Sequence, residues 1–156
     1  MLSEMLGNRY FLARNYKQAV ENFEYVLSNN PTNKSVRKKL IICYLQTGDL
    51  DKAVDIFAKL IKEDIDFIIN TDLKEDACPC PELIEKYGTI LPYEQNSNDL
   101  KLMLGMLWLY CDVQKSKEFF DVVIKEKPED EKLKSIVSVI ENRLKTINKD
   151  KLQHIN

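Results

Sequence analysis

Leu6-Gly7-Asn8-Arg9-Tyr10 followed by Ala19-Val20-Glu21-Asn22-Phe23 decides the fold, because the pattern returns 34 residues later as Leu40-Ile41-Ile42-Cys43-Tyr44 and Ala53-Val54-Asp55-Ile56-Phe57. Tyr16 with Leu50 and Leu27 with Ile61 share the same offset. Self-similarity at one spacing of this size marks stacked supersecondary units. Within each copy the apolar residues recur at three and four, the period of a helix buried on one side. Thr47-Gly48-Asp49-Leu50 reads as a helix stop followed by an N-cap. Each unit is therefore predicted to be a hairpin of two helices. The small Gly7, Ala19 and Ala53 let backbones approach, while Tyr10, Phe23, Tyr44 and Phe57 fill the space between hairpins. Each such aromatic stabilises by very roughly 1.5 to 3 kcal/mol when buried. A single hairpin has nowhere to bury its apolar face, so neighbours must stack.

A third copy stands at Leu104-Gly105 with Trp108, then Ser116 with Phe120, then Pro128. Its Gly-to-Phe spacing is one residue shorter, which places a deletion in the turn near Cys111 to Val113. After Pro128 comes the acidic first turn Glu129-Asp130-Glu131, suited to a helix N-terminus. Leu133, Ile136, Val137, Ile140, Leu144 and Ile147 then recur at helical spacing. The resulting expectation is one domain over 1–156, with hairpins at about 1–33, 34–65 and 98–128. A capping helix is expected over about 129–148, with fraying from Lys149 onward.

Residues 66–97 break the period. Asp76-Ala77-Cys78-Pro79-Cys80-Pro81 is rigid punctuation, since each proline fixes its own backbone and pushes the preceding residue out of helical geometry. Pro81 suits the first position of a short helix to Tyr87, stopped by Gly88. Pro92 to Asn98 reads as a polar connection. The segment is either a decayed repeat, with helices over 65–73 and 81–91, or a loop that packs a short helix on one edge.

Leu6-Gly7 and Tyr10, then Ala19 and Phe23, then Pro31 resemble the tetratricopeptide repeat pattern, with Ser3 in place of its first aromatic. The second copy departs from it at Ile41, where a small residue is usual, and at Ile65, where a proline is. The resemblance implies an all-α fold: tetratricopeptide-type helical hairpins in a short right-handed superhelix, an α-α solenoid, closed by a C-terminal helix. It also implies a concave face lined by the first helix of each hairpin, used to bind proteins. Carried over by register, that face comprises Glu4, Asn8, Phe11 and Leu12, then Ser35, Lys38, Ile42, Leu45 and Gln46, then Asp99, Leu102, Met106, Leu109 and Tyr110. Most of it is apolar. Either a partner segment lies against it or the chain covers it from within, using the insert or the capping helix. Asn8 matches a residue with which some members clamp a terminal carboxylate, but Glu4 would repel that group. Arg37, Lys38 and Lys39 form a basic cluster read mainly as a solvated face.

Of the 156 residues, 44% are hydrophobic and 31% charged, enough for a single core without disulfide or metal staples. The formal charge of -2 is uneven. Residues 1–64 hold ten basic and eight acidic side chains, 65–98 two and seven, and 99–156 eleven and ten. An acidic middle between nearly neutral flanks offers no footprint for a polyphosphate backbone, so nucleic acid is not an expected partner. No apolar run approaches the ~20 residues that span a bilayer, which speaks against a membrane partner. Met1-Leu2-Ser3-Glu4 does not look like a secretory signal, and a cytoplasmic location is expected.

Chemistry finds few handles. The four glycines are isolated, the single histidine is His154, and no serine sits in a glycine-flanked elbow. No catalytic residue, metal or cofactor is therefore expected, nor does anything point to a small-molecule ligand. Cys78 and Cys80 could ligate one soft metal, cycle through a disulfide, or simply make a structural turn. Nearby carboxylates would raise their thiol pKa values and disfavour reactivity. The functional expectation is a scaffold that binds a peptide or helix of a partner protein. A small chaperone for a secreted substrate is the alternative within the binding class, and a thiol redox or metal-responsive protein using Cys78 and Cys80 is the alternative outside it.

Overall fold

The computed structural model describes residues 1–87 and 90–155, with side chains through Gln153, so the helix stop expected at Gly88 lies outside the described residues. Among them are nine helices and no strand. The order is α1 (Glu4–Leu12), α2 (Tyr16–Asn29), α3 (Lys34–Thr47), α4 (Leu50–Asp64), α5 (Asp66–Ile69), α6 (Cys80–Lys86), α7 (Asn98–Trp108), α8 (Val113–Glu126) and α9 (Glu131–Ile155).

Local chemistry sets the helix ends. Ser3, Asn33, Ser97 and Asp112 each accept a hydrogen bond from a backbone N–H of the first turn of α1, α3, α7 and α8. Gly48 closes α3 at φ 86°, a left-handed conformation glycine adopts without steric penalty. Asp49, expected to cap α4, makes no side-chain cap bond there.

The hairpins close where small residues stand. A Cβ added to Gly7 would lie 2.5 Å from the Phe23 ring, so α1 and α2 touch only because that atom is missing. Gly105 repeats the device against Phe120, with a looser 3.1 Å, and Ser116 Oγ donates to the Gly105 carbonyl at 2.6 Å. In the middle hairpin Ile41 fills the glycine's place, and the Phe57 ring instead stacks on Phe120 with centroids 5.8 Å apart.

The first two hairpins stand side by side in one sense. Asn33 at the start of α3 donates to Glu4 at the start of α1, and Lys39 further along α3 donates to Asn8. The third hairpin meets them turned over. Tyr110, just past the end of α7, donates its hydroxyl at 2.7 Å to the carbonyl of Lys38, near the start of α3. The start of α7, Asn98 and Asp99, shares a cavity with Leu50 and Asp51, which follow the end of α3. Thus α7 runs against α3 and along α4. The superhelix expected from the repeat continues in one sense only through α4. The prolines and extra length of 66–97 let the chain reverse before α7.

α9 closes the body. Lys132 pairs with Asp55 and Arg143 with Asp66, both 77 residues apart, so α9 lies parallel to α4 in constant register. Leu133, Ile136, Ile140 and Leu144 are its buried side. The fraying expected from Lys149 is not what the structure shows: the helix runs on to Ile155, with residues 148–153 all exposed.

Candidate functional site

The side of the molecule formed by α1 and α3 is the one the repeat pattern assigns to partners. Here residues 66–87 cross it. Asp76 accepts a hydrogen bond from the Lys38 ammonium at 2.9 Å, and that amine also reaches the Phe67 carbonyl at 3.4 Å. The Lys38 side chain is only 8% exposed and sits over the Phe67 ring at 4.8 Å. Burying an ammonium this deeply needs such compensation from a carboxylate, a carbonyl and an aromatic face. Arg14, in the turn after α1, holds the other end: its Nη1 donates to the Ala77 carbonyl and its Nη2 to Glu82, both at 2.7 Å.

Two details mark this latch as built. Arg14 and Ala77 are the positive-φ residues other than glycine among the described residues, at 61° and 50°. Left-handed backbone is unfavourable for side chains with a Cβ, and it persists where surrounding contacts over-determine it. Cys78 and Cys80 are joined as a disulfide across Pro79, with Cys80 fully buried.

The expected groove residues fall into two groups. Phe11, Ile42, Leu45, Met106, Leu109 and Tyr110 are buried, and Lys38 with them. Phe11, Ile42 and Tyr110 meet Thr71, Asp76 and Cys78, leaving a gap of only about 10 Å³. The apolar stripe read as partner-facing is therefore covered by the chain itself, the other possibility the sequence left open. Reversal of α7 contributes, since it turns Tyr110 toward α3 rather than continuing an open wall. Asn8 and Lys39 bridge α1 and α3 at 2.9 Å, and burial holds the Lys39 ammonium below its ordinary pKa. Leu12 stays 64% exposed. Gln46 and Leu102 are half-buried, and the Gln46 amide nitrogen has no partner among the described residues.

Sequence reading missed Arg14 and Asp76. Both are ordinary polar residues of turns, and the pairing of Arg14 with a carbonyl 63 residues away leaves no local signature. The basic cluster read as solvated is mostly internal: Arg37 pairs with Glu63 at 2.7 Å and Lys38 with Asp76. Among the described residues no group of three or more His, Cys, Asp or Glu side chains is arranged to hold a metal ion. None of their helices is long and apolar enough to cross a membrane.

Paired antiparallel helices, closed by a glycine under an aromatic ring and stacked on a like pair, define a helical-hairpin repeat protein. Residues 10–66 match the family model of the tetratricopeptide repeat. Comparison with curated proteins gives no match. Tetratricopeptide repeats generally mediate protein–protein interaction, and they are typically non-catalytic.

Proposed function

We propose that this chain is a protein-interaction scaffold that receives an extended segment of a partner protein along α1 and α3, with residues 66–87 occupying that side until the partner displaces them. The observation that carries the reading is the grip of Lys38 on Asp76 and the Phe67 carbonyl, at a place where the repeat register puts ligand contacts. A partner with a carboxylate and a backbone carbonyl at like spacing would substitute for the strap. Phe11 and Ile42 would then meet the partner's apolar side chains in place of Cys78. The strap's polar hold comes from the side-chain tips of Lys38 and Arg14, while Ile68, Cys80 and Leu83 anchor its two ends in the core, so displacement concerns the stretch between them. Leu45, Met106, Leu109 and Tyr110 serve the joint with α7, while Asn8, Leu12, Gln46 and Leu102 frame the surface. With this reading go a cytoplasmic location, no catalysis, and neither nucleic acid nor membrane as partner.

The test is the double variant Arg14→Ala/Asp76→Ala compared with wild type. It should keep its helical circular dichroism, gain protease cleavage within 70–79, and retain several-fold more partner in crosslinking pull-downs. An excess of a synthetic peptide of residues 66–82 should compete that gain away. Equal capture by both proteins, or a gain the peptide leaves untouched, would refute the proposal.

A second reading has its own observation, the Cys78–Cys80 disulfide within the strap. A small dithiol reductant would open it through a mixed disulfide, giving two thiols here and the reductant's disulfide. A cytoplasmic thiol pool would favour that reduced form. On this reading Cys78→Ser/Cys80→Ser captures partner differently from the oxidised protein, and identical capture removes it.

A further inference from the structure

A cleft of about 540 Å³ opens at the end of the molecule where α7 finishes and α8 begins, with α6 of the strap along one side. Ile84 of α6, Leu91 and Pro92 form one wall; Trp108 and Phe119 form the other. Glu85 and Lys115 are its charged residues, and the Lys115 amine lies over the Trp108 ring at 5.8 Å. A cavity of this size and lining accepts several large apolar side chains. Leu91, at 48% exposure, lies at the cleft's rim, and Tyr93, at 81%, adds apolar surface outside its lining. That surplus suits a polypeptide occupant better than a small molecule, which would leave it bare.

The same end of the molecule carries an uncovered helix. α9 has 25 residues against 14 in α8, with which it forms a hairpin, so it outruns α8 by roughly 16 Å. Leu144 is its last buried residue, and Leu152 is 65% exposed. A helical stretch this short is marginal in water unless one face is packed. Its charge is also complementary to the cleft's surroundings. Lys145, Lys149 and Lys151 outnumber Asp150, whereas Glu85 lines the cleft without an ion-pair partner among the described residues. Asp66, Asp76 and Glu82 of the acidic stretch are already paired with Arg143, Lys38 and Arg14.

We infer that the cleft receives the projecting end of α9 from a second copy of this chain, each protomer docking its Leu152 between Ile84, Leu91 and Trp108 of the other. Because tail and cleft lie at one end, a two-fold axis there satisfies both at once and forms a closed, self-complementary pair. The tail lysines then face Glu85. Since α6 is part of the strap, the pairing belongs to the state in which residues 66–87 cover the α1–α3 side, and it is measured on the chain alone, without a partner.

Light scattering after gel filtration tests it directly. Wild type should run at twice the 18.2 kDa chain mass, and Leu152→Asp and Leu91→Asp, both at exposed positions, should each return it to the single mass with unchanged circular dichroism. Under mild oxidation, Leu152→Cys should give a crosslinked dimer through Cys111, which lines the cleft, and adding Cys111→Ser should abolish it. A wild-type protein at 18.2 kDa at every concentration would overturn the inference. So would a doubled mass indifferent to both aspartates, a crosslink closed within one chain, or one that survives Cys111→Ser.

Discussion

The α1–α2 and α7–α8 hairpins are built alike, yet one joins its neighbour in the sense of the repeat and the other joins it reversed. Both place a glycine under a phenylalanine ring, Gly7 under Phe23 and Gly105 under Phe120. What differs is the neighbour. α1–α2 meets the α3–α4 hairpin through helices that continue its direction, with polar links from Asn33 to Glu4 and Lys39 to Asn8. α7–α8 meets the same hairpin through stacked Phe57 and Phe120 and the Tyr110 hydroxyl. The comparison teaches that the internal chemistry of a hairpin fixes its shape, while the residues between hairpins decide how the next one is laid down.

The joint between the two regions should be the most sensitive place. Phe120→Ala empties a fully buried site between them and should lower unfolding stability by about 3–5 kcal/mol in denaturant melts. Combining it with Phe57→Ala should be less than additive, with a coupling of about 0.5–1.5 kcal/mol attributable to the ring pair. Fully additive losses would mean that the stack does not join the hairpins.

Alkali should act on the same joint. Burial pushes the Cys43 thiol up to about 12 and raises the Tyr110 hydroxyl well above its ordinary value, while Tyr16 and Tyr44 are also raised, chiefly by burial. A group whose pKa is higher folded than unfolded binds its proton more tightly in the native state. Its contribution is complete below the unfolded value and is lost as pH rises toward the folded one. Stability should therefore decline from about pH 9 upward, with on the order of a few kcal/mol attached to the Cys43 thiol. Lys39, shifted the other way by burial, opposes this in part. Cys43→Ala should flatten the early part of the decline. An unchanged alkaline slope would contradict the burial of this thiol.

Smaller effects separate the two glycines. Gly7→Ala meets ring atoms at 2.5 Å and should destabilise by about 1–3 kcal/mol, whereas Gly105→Ala, at 3.1 Å, should do so by less. The reverse order would show the first hairpin to be the looser one. Smallest of all is Lys132→Ala: its pair with Asp55 is about half exposed on both sides and should contribute under about 1 kcal/mol.

The hairpins were legible because their signals are local. The spacing of Gly7, Tyr10, Ala19 and Phe23 belongs to one stretch of chain, as does the Gly48 stop of α3. The reversal was not legible, since it depends on where the Tyr110 hydroxyl lands and on how residues 66–97 route the chain. The candidate site was half legible. Register named Phe11, Lys38 and Ile42, and their mostly apolar character already implied that something covers them. Which segment does so was not written locally, because Asp76, Ala77 and Arg14 meet only in three dimensions. The end of α9 misled for the opposite reason: a polar sequence reads as frayed when taken alone.

The direction of α7 is the central structural claim, and distances between spin labels on Ser35, Asp99 and Cys111 measure it. Ser35 stands near the start of α3, Asp99 near the start of α7, and Cys111 just past its end. The reversed arrangement predicts that Ser35 lies closer to Cys111 than to Asp99, by on the order of 10 Å given the length of α7. A Ser35–Asp99 distance shorter than Ser35–Cys111 would mean that the third hairpin continues the repeat, and the account of the covered α1–α3 side would fall with it.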